Sequence, residues 1–175
     1  GTKQIAFIDP VGVKVARRFV FDSTRNRKDV TTVLEFVNAE KEGPGVPLPA
    51  GKVRVYRRDA DGSALFLGED SIAHTPKGEK VRLTLGAAFD IKSERKVMDA
   101  RAVSQRVNEQ TIEINLRNRK TEQVAVTVIE RLQGDWEIVQ KSHPFVKKDA
   151  TTVEFEVKIP AGGEITLSYT ARFTY

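Results

Sequence analysis

Residues 151–175, TTVEFEVKIPAGGEITLSYTARFTY, decide how the rest of the chain reads. Val153, Phe155, Val157 and Ile159 alternate with Thr152, Glu154, Glu156 and Lys158. After Pro-Ala-Gly-Gly, Ile165, Leu167, Tyr169, Ala171 and Phe173 repeat the pattern. Successive side chains of a strand point to opposite faces, so a period of two gives each run one oily face and one wet face. Two such runs about a glycine-rich turn predict a terminal β-hairpin, part of an antiparallel sheet laid over a core.

The same alternation recurs at 4–8, 13–21, 30–38, 52–58, 64–73, 80–85, 111–118, 124–132 and 136–140. In 13–21, Val13, Val15, Phe19 and Phe21 share a face that Arg17 interrupts. Leu34 and Phe36 lie on one side of 30–38, and Val33 and Val37 on the other, as in a central strand covered on both faces. Residues 43–51, GPGVPLPAG, hold three of the seven prolines. They read as a loop, because proline brings no backbone donor to a ladder.

Asp61-Gly62 predicts a primed two-residue turn between 52–58 and 64–73. The run 124–132 is expected to answer 111–118 across the polar turn 119–122. Residues 91–107 place Val97, Ala100, Ser104 and Val107 near helical spacing, yet strands flank them and no cap opens a helix. They are read as a long, bent, partly exposed strand.

From residue 110 onward five strands are expected, in the manner of an immunoglobulin or fibronectin-like sandwich, which uses about seven. Earlier strands would complete the sheets. The expected fold is all-β: an antiparallel two-layer β-sandwich, one β-rich domain over 1–175, with 1–107 and 108–175 as its lobes if it divides.

A chain of 175 residues is long enough to bury roughly two thirds of its unfolded surface without staples. It has no cysteine, which excludes thiol catalysis, cysteine-ligated zinc and disulfides in this sequence. No apolar run approaches the roughly 20 residues that span a bilayer, so no membrane insertion is expected. No secretory leader pattern is present, and Gly1 rather than Met stands first, so the sequence reads as a segment of something longer. Lys and Arg total 29 against 24 acids, a net charge of +5 scattered in small clusters with acids close by. Solvated strand faces account for that distribution better than a polyanion-binding surface, and no nucleic-acid partner is expected.

Chemistry-bearing residues are sparse. His74 and His143 each stand beside a proline turn, and no Gly-x-Ser-x-Gly elbow accompanies them. Asp59, Asp61 and Asp70 echo the spacing of a calcium loop, but the glycine is misplaced and the flanks read as strands, so a hairpin turn is the better account. The pairs Glu154 with Glu156 and Glu69 with Asp70 read as strand surface rather than as acid and base. No catalytic residue, metal or cofactor is assigned.

Two places could bind a partner. Tyr56 alternates with Lys52, Arg54 and Arg58 opposite Val53 and Val55, a basic and aromatic face able to stack on a sugar. Val46 and Leu48 are apolar residues of the proline loop. The expected role is a non-enzymatic interaction or scaffold module, its partner another protein or another part of its own chain. The alternative is a carbohydrate- or polyanion-binding module, an acidic polysaccharide meeting Arg54, Tyr56 and Arg58.

Several motifs occur in a telling order: LPAGKVRVYRRD at 48–59, LGEDSIAHTPKGEKVRL at 67–83, AFDIKSERK at 88–96, LRNRKTE at 116–122 and IPAGGEITLSYT at 159–170. Together they resemble a bacterial C-terminal domain of unknown function found in mucoidy-inhibitor-A-like proteins. The resemblance covers most of the chain from about residue 30. It implies an envelope, periplasmic or secreted protein with further N-terminal parts, and brings no catalytic residue or cofactor to any position here.

Overall fold

The computed structural model describes residues 12–25 and 29–175. The strand expected at 4–8 and the basic residues among 26–28 lie outside the described residues. Those described form eleven strands and no helix: β1 (Ala16–Asp22), β2 (Asp29–Val37), β3 (Gly51–Arg58), β4 (Ala64–Ile72), β5 (Lys80–Ser104), β6 (Val107–Asn118), β7 (Val124–Arg131), β8 (Asp135–Lys141), β9 (Phe145–Lys147), β10 (Thr152–Ile159) and β11 (Glu164–Thr174). The fold is all-β. Nine strands follow the order β8-β11-β6-β5-β2-β1-β7-β10-β9, while β3 and β4 form a two-stranded sheet of their own. The described residues divide into two compact units, one of residues 12–18 and 32–86, the other of 19–25, 29–31 and 87–175.

In the second unit, strands β8-β11-β6-β5 make one layer and β1-β7-β10-β9 the other. Ile112, Ile114 and Leu116 of β6 and Leu167, Tyr169 and Ala171 of β11 face Val126 and Val128 of β7 and Val153, Phe155, Val157 and Ile159 of β10 in one buried cluster. The Phe155 and Tyr169 rings stack across the core at 5.4 Å. Each fully buried large side chain stabilises the unit by about 1.5–3 kcal/mol. That burial holds the layers together.

The terminal hairpin is corrected. β10 pairs with β7 and β9, and β11 pairs with β6 and β8, so the two runs lie in opposite layers. Residues 160–163 form an arch that carries the chain from one layer to the other. In a hairpin both oily faces would point the same way; here they point at each other, as Phe155 and Tyr169 show. Alternation states which side chains go inward and is silent about which strand lies alongside. The same reason undoes the expected pairing of 111–118 with 124–132, because β6 lies between β5 and β11 and β7 between β1 and β10.

Three smaller corrections follow. The large sheet is mixed rather than purely antiparallel, since β1 runs parallel to β7 with Phe19 opposite Val126 and Phe21 opposite Val128. A parallel partner needs a long crossover, and β2 to β6 supply it. The short strand β9 raises the five strands expected after residue 110 to six. The β3–β4 turn is not primed: the Gly62 amide donates to the Asp59 carbonyl at 3.0 Å, and Gly62 alone has positive φ, +83°. Primed type I′ geometry needs two such residues, so this is a type I turn closed by a glycine bulge.

The central position expected for 30–38 is occupied by β2, between β5 and β1. The bent strand expected at 91–107 is the second part of the 25-residue β5, and β6 opens at Val107. In the first unit, β2 and the start of β5 bury Val33, Val81 and Leu83. The β3–β4 ribbon is held to β5 where the Thr84 amide donates to Asp70 Oδ2 at 2.6 Å. Gly68 there runs so near Leu85 that a Cβ would meet its carbonyl oxygen at 2.5 Å.

Candidate functional site

β3 alternates basic and apolar residues because one of its faces meets solvent. Lys52, Arg54, Tyr56 and Arg58 occupy the exposed face, and Val53 and Val55 the half-buried one. Across the ribbon Arg54 stands opposite Glu69 and Tyr56 opposite Phe66, with a bulge where the register shifts beside Val55 and Tyr56. Glu69 takes Lys52 Nζ and Arg54 Nε, each at 3.1 Å. These two cations, Lys52 first, hold its carboxyl below the usual carboxylate range. Arg54 is therefore engaged within the ribbon, whereas Arg57 and Arg58 make no ion pair among the described residues.

Tyr56 and Phe66 tilt against each other at 5.5 Å, and both are about half exposed, at 52% and 51%. Leu65 and Leu67, the residues before and after Phe66 on β4, are also exposed. One face of the ribbon thus presents an exposed ring pair edged by guanidinium groups, while Leu65, opposite Arg57, belongs to the other face. Such a patch suits a partner that is apolar at its centre and acidic at its rim.

Val46 and Leu48 lie in the loop preceding this ribbon and are held in different ways. Val46 is exposed, but its carbonyl accepts Asn38 Nδ2 at 2.8 Å. Leu48 is half-buried and exchanges both backbone hydrogen bonds with Thr75 at 2.9 Å.

The other polar candidates are spent locally. His74 Nδ1 accepts the Ala50 amide at 3.2 Å, and His143 Nδ1 meets Ser142 Oγ at 2.7 Å, both on exposed surface. Asp59 and Asp61 each accept backbone amides of their own turn, from Ala60 and Ser63. Among the described residues no group of three or more His, Cys, Asp or Glu could hold a metal. In the first unit a cavity of about 310 Å³ is lined by Arg18, Lys80, Phe36 and Glu35. Glu35 takes Arg18 Nε at 2.8 Å and Lys80 Nζ at 2.9 Å. Burial works to raise its pKa, and the cations outweigh it, leaving the carboxyl ionised.

Sequence reasoning missed a buried polar triad in the second unit. Glu130 on β7, only 1% exposed, binds Arg95 of β5 by two nitrogens at 3.0 Å and accepts the Tyr169 hydroxyl of β11 at 2.6 Å. Burial, then the charge of Glu130, pushes the Tyr169 hydroxyl far up. Burial pulls the other way on Arg95, and Glu130 more than offsets it. The signal was present: Glu130 continues the inward phase of Val124, Val126 and Val128, as Arg95 continues that of Ile91 and Ser93. A second carboxylate, Glu109, lies between Arg101 and Arg172, whose hydrogen bonds lower its pKa.

The site thus belongs to an all-β, two-layer module with an exposed basic and apolar ribbon. No family model matches the chain, so none supports the resemblance to mucoidy-inhibitor-A-like proteins, and no curated protein matches it. Among solved structures, the NMR structure of the folded domain of Mycobacterium tuberculosis LppM aligns over 100% of this chain and 97% of its own, at 11% identity and a TM-score of 0.26. A score that low carries no argument about fold or function.

Proposed function

We propose that this chain is a non-enzymatic interaction or scaffold module that docks another polypeptide on the β3–β4 ribbon. One observation carries the reading: the Tyr56–Phe66 ring pair is left half exposed on the basic face of the ribbon. Both histidines, engaged on the surface with neighbouring loop atoms, support the non-enzymatic part. The envelope, periplasmic or secreted setting rests on the sequence resemblance alone. The immunoglobulin-like character of the C-terminal half is likewise part of this proposal, supported by the packing of two layers in the second unit.

A photo-crosslinker at Arg58, on the same face as Tyr56, in the full-length protein in its own cells tests this. A discrete polypeptide adduct that is lost with Tyr56→Ser and Phe66→Ser is expected, and no adduct from a folded protein refutes it. The unpaired Arg57 and Arg58 favour the second reading, an acidic polysaccharide partner. Retention on heparin that falls steeply with salt supports it, and no retention near about 50 mM salt removes it.

A further inference from the structure

The two units repeat one motif, and the repeat shows what the first copy lacks. The turn at Thr75-Pro76-Lys77-Gly78, followed by VRLT, parallels Ile159-Pro160-Ala161-Gly162, followed after two residues by ITLS. Each turn is gripped by a fully buried asparagine at the end of an earlier strand. Asn38 Nδ2 donates to the carbonyls of Val46, Thr75 and Pro76 at 2.8, 3.4 and 3.0 Å. Asn118 Nδ2 donates to those of Glu122, Ile159 and Pro160 at 2.8, 3.3 and 2.9 Å. The backbone agrees: Asn38 donates to the Glu79 carbonyl at 2.8 Å and Asn118 to the Gly163 carbonyl at 2.9 Å. Gly78 and Gly162 both take positive φ.

Strand order follows the same rule. β2 neighbours β5 as β6 neighbours β11, and β3 pairs with β4 as β7 pairs with β10. The copies differ at the edges of the second pair. β7 carries β1 on its far side and β10 carries β9, whereas among the described residues β3 and β4 have no further strand beside them. Val126 and Val128, on the inward face of β7, are fully buried; Val53 and Val55, their counterparts on β3, are half exposed.

We infer that the edge of β3, which no described strand covers, accepts an extended segment of a partner polypeptide in which acidic residues alternate with apolar ones. This rests on the docking reading above. An unpaired edge is a template for a further strand, its backbone groups giving affinity and its alternating side chains specificity. The position corresponds to the one β1 fills on β7. Charge sets the partner's chemistry: β3 bears Lys52, Arg54, Arg57 and Arg58 and no acid. Directly opposite positions on neighbouring strands reward opposite charges. Acids on one face of the incoming segment would meet Arg58 and, beside the Glu69 they already share, Lys52 and Arg54, and its apolar side chains would extend the cover over Val53 and Val55.

The test uses the synthetic peptides EVEVEVE and KVKVKVK with the whole chain, followed by amide exchange and NMR. EVEVEVE is expected to protect amides along β3 and KVKVKVK to leave them unchanged. N-methylation of alternate EVEVEVE amides should abolish the protection. Arg58→Glu should weaken EVEVEVE about threefold. Shifts at Tyr56 and Phe66 without protection of β3 amides overturn the edge inference and leave the docking reading standing. No response anywhere in the ribbon overturns both, and equal binding of the two peptides overturns the stated chemistry.

Discussion

Replacing Glu130 by Gln keeps its shape and removes the charge on which two buried groups depend. Arg95, its side chain only 18% exposed, would lose a two-nitrogen ion pair, and Tyr169 a 2.6 Å charge-assisted acceptor. Breaking a buried pair from one side costs about 3–5 kcal/mol. Arg95 retains some access to water, so the loss should fall near the lower end, about 3 kcal/mol. Urea unfolding followed by the fluorescence of Trp136, the only tryptophan and a residue of the second unit, measures it. Arg95→Met with Glu130→Leu and Tyr169→Phe removes the triad together and should be more stable than Glu130→Gln alone. A loss below about 1 kcal/mol for Glu130→Gln, or a triple variant weaker than the single, would refute the view that the triad's cost lies in the stranded partners.

The same triad sets an alkaline limit. Because the folded state holds the Tyr169 proton above its ordinary pKa of 10.0, unfolding releases it. That stability is complete below pH 10 and declines as pH rises beyond it. Tyr169→Phe should flatten the decline in unfolding measured between about pH 9 and 11. Asn118→Ala strands three carbonyls and should destabilise the second unit by about 3 kcal/mol, read in the same urea titration. If Asn118→Ala costs less than about 1 kcal/mol, the clamp is not what fixes the arch. Gly68→Ala drives a methyl into the Leu85 carbonyl and should speed amide exchange along β4; unchanged exchange would mean that the ribbon does not need this approach.

Much of the inside and outside of the fold was legible, because burial obeys the period of two. Val153, Phe155, Val157 and Ile159 are all buried, as are Leu167, Tyr169 and Ala171. Pairing was not legible, because a strand with one oily face serves equally well beside its sequence neighbour or across the core from it. The arch at 160–163 is decided by Asn118, a long-range clamp that looks in sequence like any polar residue ending a strand. At the candidate site, the basic and aromatic face of β3 could be read from Arg54, Tyr56 and Arg58. The ring of Phe66 could not be placed, because the bulge at Leu67 shifts which side chains of β4 share that face.

The parallel pairing of β1 with β7 also orders events in time. β1 leaves the ribosome before its partner, because the strand that lies along Phe19 to Asp22 is made only after β2 to β6. Through that interval Val20 and Phe21 have no β7 to pair with, and the nascent chain carries a sticky, incomplete edge. A chaperone that shields the earlier strands would raise the yield of native protein; slowing translation between β6 and β7 would lower it.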